Sequence, residues 1–361
     1  MSDIGQHLIL QLRSRFQPLS KHSFEPLRCR FLCLGADIRR RELIGVLGGM
    51  AVAWPLAARA QPQAKPIVGY LGLAPASSNA SRLDALRAGL REFGFVENNN
   101  FVFATRLADK PDQMRSLASQ LVQLRPAVIV SSGNAASLAV KSETDEIPIL
   151  FSVADDPVRL GLVASFNRPG SNVTGVSLIS GSIGAKRIEL LRELKAESRQ
   201  IAMLMNPNNP AEANVRNEQI QAQTAGLKLL VLHAITEQEF DRAFAEAVEQ
   251  RAEAIVVNAD AFFTAHREKI VELAGRYKLP AMYAWREFPE IGGLMSYGTS
   301  LADAYRQNGV YAGRILRGVK PADLPVSQPT RIELTINLKT AKTLGLEISP
   351  KLLALADAVI E

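Results

Sequence analysis

The polar residues with binding or chemical potential cluster in short loops that follow apolar runs. Val128-Ile129-Val130 leads into Ser131-Ser132-Gly133-Asn134-Ala135: two hydroxyls, a glycine that lets a ligand approach the backbone, and the opening of a helix. A helix start with free N–H groups favours a carboxylate or another anion, although the same residues also make an ordinary N-cap. Phe151 leads into Ser152-Val153-Ala154-Asp155-Asp156-Pro157. One of two adjacent carboxylates before a proline-started helix caps it, and the other can receive an amine or a hydroxyl. Met205 runs into Asn206-Pro207-Asn208-Asn209-Pro210, and Val257 into Asn258-Ala259-Asp260. Asparagine suits a turn as well as a ligand, so each loop alone is ambiguous, but their common position after apolar runs in both halves favours a shared cleft. Tyr283-Ala284-Trp285-Arg286 adds an aromatic and a guanidinium, able to stack on and clamp a planar or anionic ligand, or to cover the hinge side of a second domain.

Nothing in this set assembles a nucleophile and a base. After residue 60 the only histidines are His233, in an expected strand, and His266, in an expected helix, and neither adjoins a serine elbow. There is no P-loop, no HExxH and no GxGxxG after the first apolar run. Gly181-Ser182-Ile183-Gly184 and Gly292-Gly293 read as turns. Cys29 and Cys33 have metal-like spacing but no second pair or histidine cluster to complete four ligands. The expectation is a binding protein with no catalytic residue, no metal and no cofactor.

The elements that position these loops alternate. Strands are expected at Ile67–Leu71, Phe101–Arg106, Val128–Val130 and Ile149–Phe151, with helices over Ser81–Phe93 and Asp112–Leu124. The pattern restarts after Gly175: helices over Ala185–Leu194, Ala211–Ala225, Glu237–Glu249 and Thr264–Tyr277, and strands at Ile201–Met205, Leu229–Leu232, Ala254–Val257 and Ala281–Tyr283. A strand near Leu294–Tyr297, a helix over Leu301–Arg317 and a strand at Ile332–Ile336 follow. Uniformly apolar strands alternating with amphipathic helices predict parallel sheets covered on both faces. Two such stretches of about 110 residues predict two α/β domains.

The first 60 residues read differently. Arg39-Arg40-Arg41, an apolar run from Leu43 to Leu56 and Ala58-Arg59-Ala60 form the basic, apolar and small-residue parts of a secretory signal, with cleavage after about Ala60. The run falls short of the roughly 20 apolar residues that span a bilayer. Arg40-Arg41-Glu42-Leu43-Ile44 also fits a twin-arginine signal, and residues 1–37 read as an upstream extension. Neither cysteine follows an apolar run, as a lipid-bearing cysteine would. The chain has 42 Lys/Arg and 36 Asp/Glu, but nine and four of these lie in residues 1–60. The remainder holds 33 basic and 32 acidic residues and no cysteine, so nucleic-acid binding is not expected.

Four long stretches carry a resemblance: the leader RRRELIGVLGG…AARAQ, FSVADDPVRLGLVASFNRPGSNVTGVS (151–177), AMYAWREFPEIGGLMSYG (281–298) and YAGRILRGVKPADLPVSQPTRIELTINLKTAKTLGL (311–346). Over residues 39–361 the chain resembles the extracytoplasmic substrate-binding proteins of ABC transporters, in the group typified by tryptophan and other amino-acid-like uptake components. The resemblance implies a type I periplasmic-binding-protein fold: two Rossmann-like doubly wound domains joined by three crossovers near Ser177-Leu178, Tyr297-Gly298 and 326–330. The lobes would comprise 65–177 with 298–326, and 178–297 with 327–361. It further implies a cleft lined by the loop 74–79, with Ser77, Ser78 and Asn79, together with Ser131, Ser132, Asn134, Ser152, Asp155, Asp156, Asn206, Asn208, Asn258, Asp260, Trp285 and Arg286. The implied function is capture of an amino-acid-like solute or small carboxylate by a periplasmic monomer, for delivery to a membrane permease. A ligand's carboxylate would meet the Ser131-Ser132 helix start, and its amino group Asp155 or Asp156. The alternative is a periplasmic adaptor read by a membrane receptor, distinguished by a kinase or cyclase gene neighbour in place of permease and ATPase genes. An enzyme on the same fold would require an acid–base pair with a nucleophile that these loops lack.

Overall fold

The computed structural model describes residues 64–361 apart from 74–75, 179–182, 195–198, 210–218, 220–221, 223–225 and 330. The expected leader, both cysteines and the greater part of the helix expected over Ala211–Ala225 lie outside the described residues.

The first sheet is five parallel strands: β1 (Ile67–Leu73), β2 (Val102–Ala108), β3 (Val128–Ser132), β4 (Ile149–Val153) and β5 (Val173–Ser177), ordered β2-β1-β3-β4-β5. Every residue of β3 and β4 is buried, as expected of strands covered on both faces. The covering helices are α1 (Ala76–Arg91), α2 (Met114–Gln123) and α3 (Asn134–Glu143), joined by a helix from far along the chain, described below.

The second sheet runs β12-β11-β10-β9-β8-β6-β7, from β6 (Gln200–Met205), β7 (Lys228–His233), β8 (Ala254–Val257), β9 (Ala281–Tyr283), β10 (Met295–Thr299), β11 (Ile332–Asn337) and β12 (Ala358–Ile360). Among the described residues only the β10–β11 pair of this sheet is antiparallel. The strand period of two divides its core. Ile201, Met203 and Met205 pack in one cluster with Met282 and Ile336, whereas Ala202 and Leu204 pack in the other with Phe240 and Phe244. Its helices are α4 (Gly184–Leu194), α5 (Glu237–Glu249), α6 (Ala261–Ala265), α7 (Arg267–Arg276), α8 (Glu287–Glu290), α10 (Leu338–Thr343) and α11 (Pro350–Leu355).

Helix α9 (Leu301–Leu316) follows β10 of the second sheet but packs on α1 and on β4 and β5 of the first. Ser300 caps it by accepting from the Asp303 N–H at 3.2 Å. Where α1 and α9 cross, a Cβ on Gly89 would stand 2.0 Å from the Arg306 carbonyl oxygen, and one on Gly309 2.2 Å from that of Leu86. Only glycine lets the two backbones approach this closely.

The chain passes between the sheets at neighbouring points. The Ser177 N–H donates to the Ser327 carbonyl and the Ser327 N–H to the Gly175 carbonyl, both at 2.9 Å. Thr299 Oγ1 donates to the Leu178 carbonyl at 3.1 Å. These bonds tie the passages from β5, from β10 and toward β11 into one narrow hinge.

Several elements differ in extent from the sequence expectation. α1 starts at Ala76 rather than Ser81, β2 ends at Ala108 rather than Arg106, and β5 was not expected because Thr174 and Gly175 interrupt its apolar character. The helix expected over Thr264–Tyr277 is two, α6 and α7. Asp260 caps the first turn by accepting from the Phe262 and Phe263 N–H groups, and the chain bends at His266. Among the described residues no helix is long and apolar enough to cross a membrane.

Candidate functional site

A cavity of about 280 Å³ lies between the two sheets, beyond the carboxyl ends of their strands. That is where open α/β sheets bind ligands, because loops and helix starts converge there. The first sheet contributes Leu73 at the end of β1, Ser132 at the end of β3 with Gly133-Asn134 following it, and Ser152 and Ala154 about the end of β4. The second contributes Asn206, Asn208 and Asn209 after β6, Ala259 to Phe262 after β8, and Trp285 after β9. Leu138, Leu178, Leu301, Phe262 and Trp285 make much of the wall apolar.

Of the residues expected to line a cleft, the structure brings together Ser132, Asn134, Ser152, Asn206, Asn208, Asp260 and Trp285. The others are placed elsewhere. Ser77 is exposed in the first turn of α1. Asn79 is buried beside β1, where its Oδ1 accepts from the Tyr70 hydroxyl at 2.8 Å and its Nδ2 donates to the Leu73 carbonyl at 2.6 Å. Ser131 shares a 2.9 Å hydrogen bond with Ser137 inside the first lobe. Asp155 is buried, accepts from the Asp156 N–H and pairs with Arg159; Asp156 accepts from the Val158 N–H at 2.8 Å. Both are engaged in the turn after β4 through Oδ1, and Asp155 Oδ2 is buried with no hydrogen-bond partner among the described residues. Asn258 accepts from the Ala259 N–H, and Arg286 pairs at the surface with Glu290 at 2.9 Å. Ser78 donates from Oγ to the Ala265 carbonyl at 3.1 Å, a contact from α1 of the first lobe to α6 of the second.

Sequence reasoning missed Arg82 and Tyr305. Arg82 sits on the buried face of α1 with Asn79, Leu86 and Leu90, and Tyr305 on the buried face of α9 with Leu301, Asn308 and Ala312. The available signal was a cation on an otherwise buried helical stripe. Arg82 is 7 % exposed. Its Nη1 donates to Ser132 Oγ at 3.2 Å, Ser132 Oγ shares a 2.5 Å hydrogen bond with the Tyr305 hydroxyl, and the guanidinium lies 5.7 Å from the Tyr305 ring centroid. Among the described residues Arg82 forms no ion pair; Glu287 acts on it only through space. A buried guanidinium without a carboxylate is costly, and an anion brought into the cavity would offset that cost.

From the other lobe Asp260 faces the same cavity. The residue as a whole is part-exposed, but its carboxylate is enclosed: Oδ1 accepts from the Phe262 N–H at 2.8 Å and from Asn206 Nδ2 at 3.3 Å, and Oδ2 from Asn209 Nδ2 at 2.9 Å. Burial raises its carboxyl above the ordinary range, and the hydrogen bonds from Asn206, the two backbone N–H groups and Asn209 oppose that shift. All the partners of its oxygens are donors, the arrangement suited to an anion. The lobes also touch directly. Asn134 Nδ2 donates to Asn209 Oδ1 at 2.7 Å, and Gly133 lies so close to Ala261 that a Cβ on it would stand 2.9 Å from the Ala261 Cβ.

Two doubly wound lobes, a narrow hinge of neighbouring crossovers and a cavity between strand ends define a bilobed solute-binding protein. The comparisons with known proteins agree: the family model described as ABC transporter substrate binding protein matches residues 76–360, and the chain belongs to that family. The chain is 24% identical over 261 residues to a tyrosine-binding protein of Clostridioides difficile strain R20291, covering 72% of this chain and 74% of that one. A conserved domain protein of Vibrio cholerae shares the fold with a TM-score of 0.76 and 26% identity, over 82% of this chain and 99% of the other. An ABC domain from Streptococcus pneumoniae in complex with L-Trp gives a TM-score of 0.74 at 24% identity, over 82% of this chain and all 100% of the other.

Proposed function

We propose that the protein captures an α-amino acid with a large apolar or aromatic side chain between its lobes and hands it to an ABC permease. The observation that carries this reading is the pairing of opposite charges across one cavity: Arg82 from the first lobe, with no ion pair among the described residues, and Asp260 from the second. A ligand carboxylate would sit against Arg82, the Ser132 hydroxyl and the start of α3, where guanidinium and helix N–H groups favour an anion. Its ammonium would face Asp260, and its side chain the wall of Phe262, Trp285 and Leu301. The tyrosine and L-Trp named for two relatives support the aromatic class.

Binding proceeds by hinge closure: the solute docks on one lobe, the other shuts over it, and the closed form is presented to the membrane. The chain turns nothing over, acts as a monomer and binds no nucleic acid; its net charge of +1 beyond residue 60 supports the last point. The signal-like residues 39–60 support export, and Arg40-Arg41-Glu42-Leu43-Ile44 fits a twin-arginine route as well as an ordinary secretory one. The test is thermal melting of the purified protein with each of a panel of amino acids and small carboxylates. A ligand that binds only the folded state raises Tm by mass action. L-tryptophan or L-tyrosine should raise it most, and no shift across the whole panel rejects the proposal.

A further inference from the structure

We infer that Asn134 and Asn209 form the latch that holds the lobes shut, with a polarity imposed by Asp260; this rests on the capture reading above. Asn206 Oδ1 accepts from the Asn208 N–H at 3.0 Å, which directs its Nδ2 to Asp260. Asp260 is held on Oδ1 by that amide and by the Phe262 and Phe263 N–H groups, so its oxygens act as acceptors throughout. Asn209 must therefore turn its NH₂ toward Asp260 Oδ2, at 2.9 Å, and the Ala259 carbonyl on the same side, at 3.5 Å, reinforces that choice. Its Oδ1 is left to face the opposite lobe as an acceptor only. Asn134, in the first turn of α3, meets it with Nδ2 at 2.7 Å.

The chain Asn134 to Asn209 to Asp260 thus starts in one lobe and ends on the carboxylate of the other. Asn134 can close it only by donating. Both asparagines line the cavity, so the bond forms at the wall of the space where the solute would sit. Among the described residues Asn134 Oδ1 is left buried without a hydrogen-bond partner, which offsets part of the gain. The latch therefore holds only part of the empty protein shut and adds to the hold on a filled one. Asn134 and Asn209 act as positioning residues for the closed state.

The test is a double-mutant cycle on the full chain with Asn134→Ala, Asn209→Ala and both together, reading the rate and equilibrium constants for L-tryptophan and L-tyrosine. A net hydrogen bond corresponds to roughly a 3- to 10-fold loss of affinity for Asn134→Ala, carried by faster release. The double variant should be no weaker than Asn209→Ala alone. Asn134→Asp, the same shape but unable to donate when ionised, should be weaker than Asn134→Ala because it meets a fixed acceptor with Asp260 behind it. Losses that multiply in the double variant, or an Asn134→Asp that binds as well as wild type, overturn the latch. If wild type binds neither amino acid, the capture reading fails separately. Small-angle scattering of the ligand-free proteins then decides the latch: a larger radius of gyration for Asn134→Ala than for wild type supports it, and identical radii overturn it.

Discussion

Replacing Gly133 with alanine separates folding from closing. Gly133 has φ of 93° and ψ of 167°, a conformation that only glycine adopts freely. Holding alanine there costs on the order of 1–3 kcal/mol, and that cost falls on folding whether the lobes are open or shut. The new Cβ also stands 2.9 Å from the Ala261 Cβ. Gly133 belongs to the first lobe and Ala261 to the second, so this overlap exists only in the closed form. Overpacking of this kind costs about 1–3 kcal/mol, a roughly 5- to 100-fold loss of ligand affinity. Gly133→Ala should therefore lower Tm by a few degrees in differential scanning calorimetry and weaken L-tryptophan or L-tyrosine binding in titration calorimetry. Adding Ala261→Gly removes the overlap but not the backbone strain, so the double variant should regain affinity while its Tm stays low. Unchanged affinity in Gly133→Ala, or no recovery in the double variant, would refute the claim that these residues meet on closure.

Further outcomes follow from the same geometry. Arg82→Met should cost roughly 10- to 100-fold in affinity for an amino acid, as loss of a charge-assisted hydrogen bond does, while leaving Tm equal or higher because a buried cation without an ion pair is gone; calorimetry of both quantities checks it, and unchanged affinity removes Arg82 from the site. Because burial raises the Asp260 carboxyl, the folded state holds that proton more tightly than the unfolded chain does, so Asp260 costs stability as pH climbs from the ordinary carboxyl value of 3.8 to its folded value. Amino-acid affinity should run the opposite way, falling as pH drops through that folded value, and Asp260→Asn should flatten the profile in titrations across pH. Gly309→Ala should lower Tm by several degrees, since its Cβ would meet the Leu86 carbonyl oxygen at 2.2 Å, and a melting scan that matches wild type would contradict the close crossing of α1 and α9.

The βα alternation was readable because parallel strands covered on both faces are apolar at every position, as in Val128-Ile129-Val130 and Ile149-Leu150-Phe151. The strand β5 was not, because its Gly175 is chosen for close approach to the backbone of Phe151 rather than for hydrophobicity. The loops after β3, β6 and β8 were legible as site material because strand ends in such sheets converge on one cleft. Within a loop, local sequence does not say which carboxylate is consumed by the turn. Asp155 is taken by Arg159, whereas Asp260, which caps α6, also lines the cavity. Arg82 and Tyr305 were hidden for a different reason. Their roles depend on which helix faces meet the cleft, and α9 reaches the first sheet only after the chain has crossed to the second sheet and back. The early start of α1 at Ala76 likewise depends on tertiary partners, since Asn79 is held by Tyr70 and Ser78 by Ala265 of the opposite lobe.

The most direct test of the central claim is native mass spectrometry of the protein purified without denaturation and then titrated with L-tryptophan and L-tyrosine, alongside Arg82→Met. Wild type should carry one amino acid per chain, displaced by competition between the two, and the variant a much smaller fraction of adduct under the same conditions. Wild type that holds neither amino acid, or a variant that holds either one as firmly, would contradict the claim.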